Sequence, residues 1–220
     1  MKSIYIVRHG ESETNARLHT FCVPDEEVQL TEKGEQQSRF IAERAVRLKA
    51  EALISSPFVR TRDTARLISE RTGLSIELES LFGERRTPTA LVGMKFGTEE
   101  SDAFYRAWTS TFFKQGERVD DGENFDDLKS RARAALEYLE KRPESKIIVV
   151  SHGFFLRVLL CYIMFGEALT PEEVRGVAGS MRTDNTGITL LTHDVMPFHD
   201  IDHDIARWRI RAYNDHAHLG

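Results

Sequence analysis

Two short stretches carry residue types that could do chemistry. Arg8-His9-Gly10-Glu11-Ser12 ends the apolar run Ile4-Tyr5-Ile6-Val7, and Ser151-His152-Gly153 ends a second such run, Ile147-Ile148-Val149-Val150. Imidazole changes charge near neutral pH, so each histidine can act as nucleophile, acid or base, and Arg8 adds a permanent cation. A lone histidine after a strand is ordinarily a hydrogen-bonded structural residue. A matched pair, each followed by a glycine that lets a ligand approach the backbone, points instead to a site.

The elements that must position this pair follow from periodicity. Both β-branched runs read as buried strands, and open α/β sheets bind ligands beyond the carboxyl ends of their strands. Two such strands side by side bring His9 and His152 into one pocket. A polar loop, 11–30, carries Asn15. Thr31 then caps a helix whose inward stripe is Phe40, Ile41, Ala45 and Leu48. A strand at 52–55 and a helix at 59–71 follow, the helix closed by Gly73. A third strand, 75–78, leads into a loop at 79–98 that covers the pocket. Helices are expected at 99–114, 124–140 and 154–165, and Thr170-Pro171-Glu172-Glu173 starts another. Strands at 188–192 and 206–213 close the chain. Helices between most strands imply a three-layer α/β/α sandwich, one domain over 1–220, with a mostly parallel sheet and an antiparallel pair at one edge.

Composition limits the function. The formal charge of −5 over 220 residues, with dispersed basic side chains, argues against a nucleic-acid surface. The start lacks a signal-peptide pattern and no apolar run reaches membrane-spanning length, so no membrane partner is expected and the compartment should be the cytoplasm. Cys22 and Cys161 suggest no disulfide framework.

Arg8-His9-Gly10-Glu11-Ser12 with Asn15 resembles the signature of the histidine phosphatase superfamily, which has the phosphoglycerate-mutase-like fold. The likeness continues through Leu30-Thr31 with Gly34 and Gln37, and through Ser55-Ser56-Pro57 with Arg60, Thr61, Thr64 and Ala65. Gly122-Glu123, Ser151-His152-Gly153 and Asn214-Asp215-His216-Ala217-His218-Leu219 also fit. The resemblance implies a phosphomonoesterase with no cofactor. Arg8 and Arg60 would grip phosphate oxygens with forked guanidinium donors. His9 would attack phosphorus and become a phosphohistidine. A protonated His152 would bind an equatorial oxygen, and Asn15 would add a neutral donor.

The leaving oxygen needs a proton, and Glu84, in Phe82-Gly83-Glu84-Arg85-Arg86, stands where the family keeps its acid/base residue. Its neighbours Arg85 and Arg86 favour the ionised form and also hint at a second acidic group on the substrate. Ser12 and Thr61 stand open between phosphate contact and helix cap, and Glu123 between the site and a helix start. The segment 193–204, rich in His and Asp, invites a metal, but a polar connection between strands is expected there and no metal is assigned. The expected partner is a small phosphorylated metabolite, with a homodimer left open. A phosphoglycerate-type mutase and a catalytically silent phosphate sensor are the alternatives to a phosphatase.

Overall fold

Alternate residues of the central strands face opposite ways, and the chain covers both sides. In the computed structural model, which describes residues 1–195 and 206–220, six strands form one sheet: β1 (Lys2–Arg8), β2 (Ala52–Ser55), β3 (Ile76–Leu78), β4 (Lys146–Ser151), β5 (Ile188–Val195) and β6 (Ala206–Asp215). Ile147 and Val149 pack with Leu128, Ala132 and Leu139 of α4 (Phe125–Lys141), with Leu156 and Leu159 of α5 (Gly153–Phe165) and with Val174 of α6 (Pro171–Ser180). Ile148 and Val150 pack the other way, with Ile41 and Ala45 of α1 (Glu32–Leu48) and Ala65 and Ile68 of α2 (Val59–Thr72). This is the expected three-layer sandwich.

The sheet order is β3-β2-β4-β1-β5-β6. Pairing is parallel from β3 through β1, and antiparallel at β1–β5 and β5–β6. The antiparallel edge therefore begins beside β1, one step further in than a terminal hairpin would place it. In the β1–β4 register Arg8 lies opposite Ser151, so His9 and His152 leave the sheet at the same level.

Local departures from expectation have simple causes. Phe40 lies 52% exposed, because Ile41, Ala42 and Ala45 take the inward face and Phe40 stands about 100° away from Ile41 around the helix. The loop 79–98 contains two single-turn 3-10 segments, Ser80–Phe82 and Thr89–Leu91, and leads into α3 (Glu99–Thr111). His193 and Asp194 fall within β5 and not in a connection. The His193 ring lies 4.8 Å from that of Trp208, and Asp194 pairs with Arg209 and Arg211. His199, Asp200, Asp202, His203 and Asp204 lie outside the described residues. Among the described residues no helix is long and apolar enough to cross a membrane.

Candidate active site

The register of β1 and β4 brings the two histidine rings to 5.2 Å, edge to face. His9 Nδ1 lies 2.6 Å from the Gly10 carbonyl oxygen, which can only accept, so the proton sits on Nδ1. The other nitrogen, Nε2, then presents a lone pair and receives Nε–H of Arg60 at 3.2 Å. Burial, with Arg60 and Arg8 nearby, holds His9 well below its ordinary pKa of 6.5. A neutral imidazole with its lone pair aimed among guanidinium groups is a nucleophile poised for an anionic electrophile.

Arg60 opens α2 and is anchored by Asp25, which takes Nη2 at 2.9 Å on its carboxylate and Nη1 on its backbone carbonyl. Arg8 donates Nη1 to the Thr183 carbonyl and Nη2 to Asn15 Oδ1 at 3.3 Å. That oxygen also accepts from Asn185 Nδ2 at 3.1 Å, which leaves the amide nitrogen of Asn15 as its unused donor face. His152 is fully buried, its Nε2 2.8 Å from Ser56 Oγ. Nδ1 of His152 and Nε of Arg8 are two of the four buried side-chain polar atoms that lack a hydrogen-bond partner among the described residues, with Nε2 of His19 and Nε1 of Trp108. An unmet buried polar atom costs about 1–3 kcal/mol, and two such atoms together fit a site whose remaining partner is a ligand.

Two expectations need correction. His152 was expected to carry a proton. Its pKa is held well below 6.5, first by burial and then by Arg60, His9, Arg131 and Arg8, so among these protein groups it is neutral. The cations that border it on the cavity side are Arg8, Arg60 and Arg157. The glycines serve closer packing than a ligand would require. A Cβ at Gly10 would collide with the Gly34 carbonyl of α1, and one at Gly153 would lie 2.9 Å from Thr183 Oγ1 and 3.2 Å from Arg8 Nε. Gly10 and Gly34 thus press the first motif onto α1, where Glu11 N donates to Gln37 Oε1 at 2.8 Å and Lys33 pairs with the Glu11 carboxylate at 2.8 Å.

Glu84 stands at the start of α5. Its Oε1 accepts the backbone N–H of Arg85 at 3.0 Å and of Phe155 at 2.9 Å, while Oε2 accepts only that of Phe154, at 3.1 Å. The loop behind it is held by Arg131, which donates to the carbonyls of Leu81, Gly83 and Glu84 and pairs with Glu123 at 2.8 Å. Glu123 is therefore a bracket for this loop. Arg86 does not line the cavity, and Arg85, which does, is engaged by protein groups. Arg85 bonds the carbonyls of Glu123 and Trp108 and stacks on the Trp108 ring at 4.1 Å, and Arg86 bonds the Asp121 carbonyl. Thr61 donates to the carbonyls of Ser56 and Phe58 and so stabilises a local turn, whereas Ser12, whose Oγ accepts Asn15 N, also lines the cavity.

Above these groups lies a cavity of about 1140 Å³, reaching from Arg8, His9, Arg60 and Glu84 to Trp108 on α3. Two loops that roof it pair with each other, Cys22 with Gly93 and Met94, and Thr20 with Phe96. Met94 and Phe96 line the cavity, while Phe21 is exposed. Asp25, Ser56, Arg157, Thr183 and Asn185 were not singled out in the sequence. All but Ser56 stand outside the recognised motifs, and only the loops' return to the strand ends brings them in.

The family model for the histidine phosphatase superfamily (branch 1) matches residues 4–199. The chain is 36% identical over 185 residues to the probable phosphoglycerate mutase GpmB of Enterobacter sp. (strain 638), covering 80% of each chain. Over 176 residues it is 33% identical to the same-named protein of Escherichia coli O1:K1 / APEC, again covering 80% of each. Its fold is similar to a mycobacterial glucosyl-3-phosphoglycerate phosphatase, with a TM-score of 0.73 and 21% identity over 98% of this chain and 100% of that one. It is also similar to a phosphoserine phosphatase of Entamoeba histolytica, with a TM-score of 0.72 and 21% identity over all of both chains. With its motifs spread along the matched length and converging on the ends of β1 and β4, the chain belongs to the histidine phosphatase superfamily, branch 1.

Proposed function

We propose that this chain is a metal-independent phosphatase that hydrolyses a small phosphomonoester through a phosphohistidine on His9. The observation that carries this reading is the His9 ring itself, with Nδ1–H fixed on Gly10 O and the Nε2 lone pair held beside Arg60 in a buried site. Arg8 and Arg60 bind the phosphoryl oxygens, joined by the amide of Asn15 and by His152. Nε2 forms a bond to phosphorus as the ester P–O bond breaks, and the leaving oxygen keeps that electron pair. Glu84 gives this oxygen a proton from Oε2, the oxygen with only one accepted hydrogen bond. The resulting carboxylate takes a proton from water, whose oxygen attacks phosphorus and breaks the P–N bond. Phosphate leaves and His9 is again neutral. Free thiols at Cys22 and Cys161 fit a reducing compartment, and the cytoplasm is where we place the enzyme.

The names of the curated relatives favour a second reading, a phosphoglycerate mutase. A mutase must keep water from its phosphohistidine between half-reactions. Here the cavity above His9, about 1140 Å³, is larger than a small phosphorylated acid fills, which supports access of water and hence hydrolysis. The deciding experiment measures phosphate release from a panel of monoesters, without a bisphosphorylated primer and after exhaustive chelation. Steady release is expected in both conditions. Primer-dependent interconversion of 2- and 3-phosphoglycerate far faster than phosphate release would establish the mutase, and loss on chelation would refute metal independence.

A further inference from the structure

The phosphoryl end accounts for only one part of the cavity. A three-carbon phosphorylated acid would leave most of the 1140 Å³ unfilled, a volume beyond that of ordinary drug-sized pockets. The far wall is apolar and comes from three places: Leu91, Met94 and Phe96 from the loop before α3, Tyr105 and Trp108 on α3, and Phe154 at the start of α5. Tyr105 and Trp108 are three residues apart, so they share one helix face, and their rings meet edge to face at 5.7 Å. Leu91 and Trp108 are buried, at 3% and 7% exposure, while Phe96 and Tyr105 are about half exposed. Half-exposed aromatic surface beside a cavity is surface that a flat apolar ligand removes from water.

Charge on this wall points the same way. Arg85, the guanidinium nearest the aromatic cluster, is committed to two backbone carbonyls and to the Trp108 and Phe112 rings. The charged side chain that α3 turns to the cavity is Asp102, which repels a second carboxylate. Arg157 lies over the Phe154 ring at 5.3 Å and donates Nε to the Gly153 carbonyl at 3.3 Å, at the border between this wall and the phosphoryl end. Arg17 and Arg182 are exposed at the mouth.

From this we infer that the enzyme prefers a phosphomonoester whose organic part is a flat, apolar group, an aryl or arylalkyl phosphate in chemical class, over short phosphorylated hydroxy or amino acids. The inference rests on the phosphatase reading above, and two assays separate them. In the first, kcat/KM for phosphate release from 1-naphthylmethyl phosphate, an alkyl ester whose oxygen leaves as poorly as those of the short acids, is compared with that for 3-phosphoglycerate and phosphoserine. The expected preference for the naphthyl ester is about 10- to 100-fold, since burying one aromatic group supplies that much. Tyr105→Ala and Phe96→Ala remove exposed rings that the fold does not need. Each should lower kcat/KM for the naphthyl ester about 5- to 10-fold and leave that for 3-phosphoglycerate unchanged.

In the second assay, binding of non-hydrolysable 1-naphthylmethyl phosphonate and methyl phosphonate to the unmodified enzyme is measured by calorimetry. The naphthyl compound should bind about 10-fold or more tightly. Equal binding of the two phosphonates, or better turnover of the short acids, overturns the inference and leaves the phosphatase reading standing. Tighter naphthyl binding with no phosphate released from any ester upholds this inference and refutes the phosphatase reading.

Discussion

At the strand ends, His9, Arg60 and His152 are buried, and hydrogen bonds hold His9 Nδ1 on Gly10 O, Arg60 on Asp25 and His152 on Ser56. Across the cavity, Phe96 and Tyr105 are half exposed, on a roof held by a short loop-to-loop ladder and by Arg85. The first region fixes side chains because charge that develops on a phosphoryl group must be met by donors already in place. The second presents area and few directed bonds, which suits recognition of an organic group by shape and hydrophobicity. The same contrast explains why motifs cluster at the strand ends while the roof carries none: directed chemistry constrains residue type, and apolar contact constrains mainly size.

The comparison is tested most severely by His9→Ala. Turnover should fall roughly 10⁴-fold or more, with trapping of labelled phosphate abolished, because the variant lacks the imidazole lone pair that the site holds beside Arg60. Binding of the naphthylmethyl phosphonate should change less than about 10-fold, since its organic part is held by the other region. His152→Ala should lower turnover by about 10²- to 10³-fold and also weaken phosphonate binding. Wild-type phosphate release from the His9 variant would end the covalent mechanism and, with it, the division of labour between the two regions.

Glu84→Gln sharpens the boundary, because Glu84 borders the cavity yet is fixed by the start of α5. An alkyl ester with a poor leaving oxygen should lose about 10²- to 10³-fold in kcat/KM, which reports only the steps up to release of the alcohol, whereas a nitrophenyl ester, whose oxygen leaves unprotonated, should lose about 10-fold or less. Equal losses on both esters would remove Glu84 from the proton transfer and leave it a positioning residue. The three backbone N–H groups that Glu84 accepts remain satisfied by the glutamine carbonyl in part only, so thermal stability is read alongside.

The smallest effect concerns pH and stability. His9 and His152 have pKa values held well below 6.5, and burial lowers that of His218, which bonds Thr186 behind the site, to about 4. Below pH 6.5 the unfolded chain takes up protons that these folded histidines refuse, so stability should fall as pH drops from 6.5 toward 5. Each fully refused proton contributes about 1.4 kcal/mol per pH unit, and half-buried His218 contributes less. Asp215, held at about 2 by Arg44, titrates below this window. Urea midpoints at pH 7.5, 6.5 and 5.5 read the slope, which should flatten in the His9→Ala variant. A midpoint that is constant or rises toward pH 5.5 would contradict the burial of neutral imidazoles at the strand ends.

Much of the strand-end region was legible in the residues themselves. Two β-branched runs ending in His-Gly predicted adjacent strands and paired imidazoles, because period and turn chemistry are local properties. Arg60 and Glu84 followed from resemblance to a family, and the fold put both at the cavity. The tautomer of His9, the neutrality of His152 and the company of Glu84 were not legible. Each depends on which carbonyls, cations and helix ends lie within about 3 Å, and on how much water is excluded, through contacts between residues far apart in the chain. Arg85 and Arg86 show the limit most plainly: the sequence gives two cations beside a carboxylate, and only the packing of α3 and of residues 121–123 ties both to backbone carbonyls. The sequence alone determined the residue types available for phosphoryl chemistry and the strands that carry them. Tertiary structure decided protonation, the anchoring by Asp25, Thr183 and Asn185, and the apolar wall, because desolvation and contact arise only when the chain has closed around them.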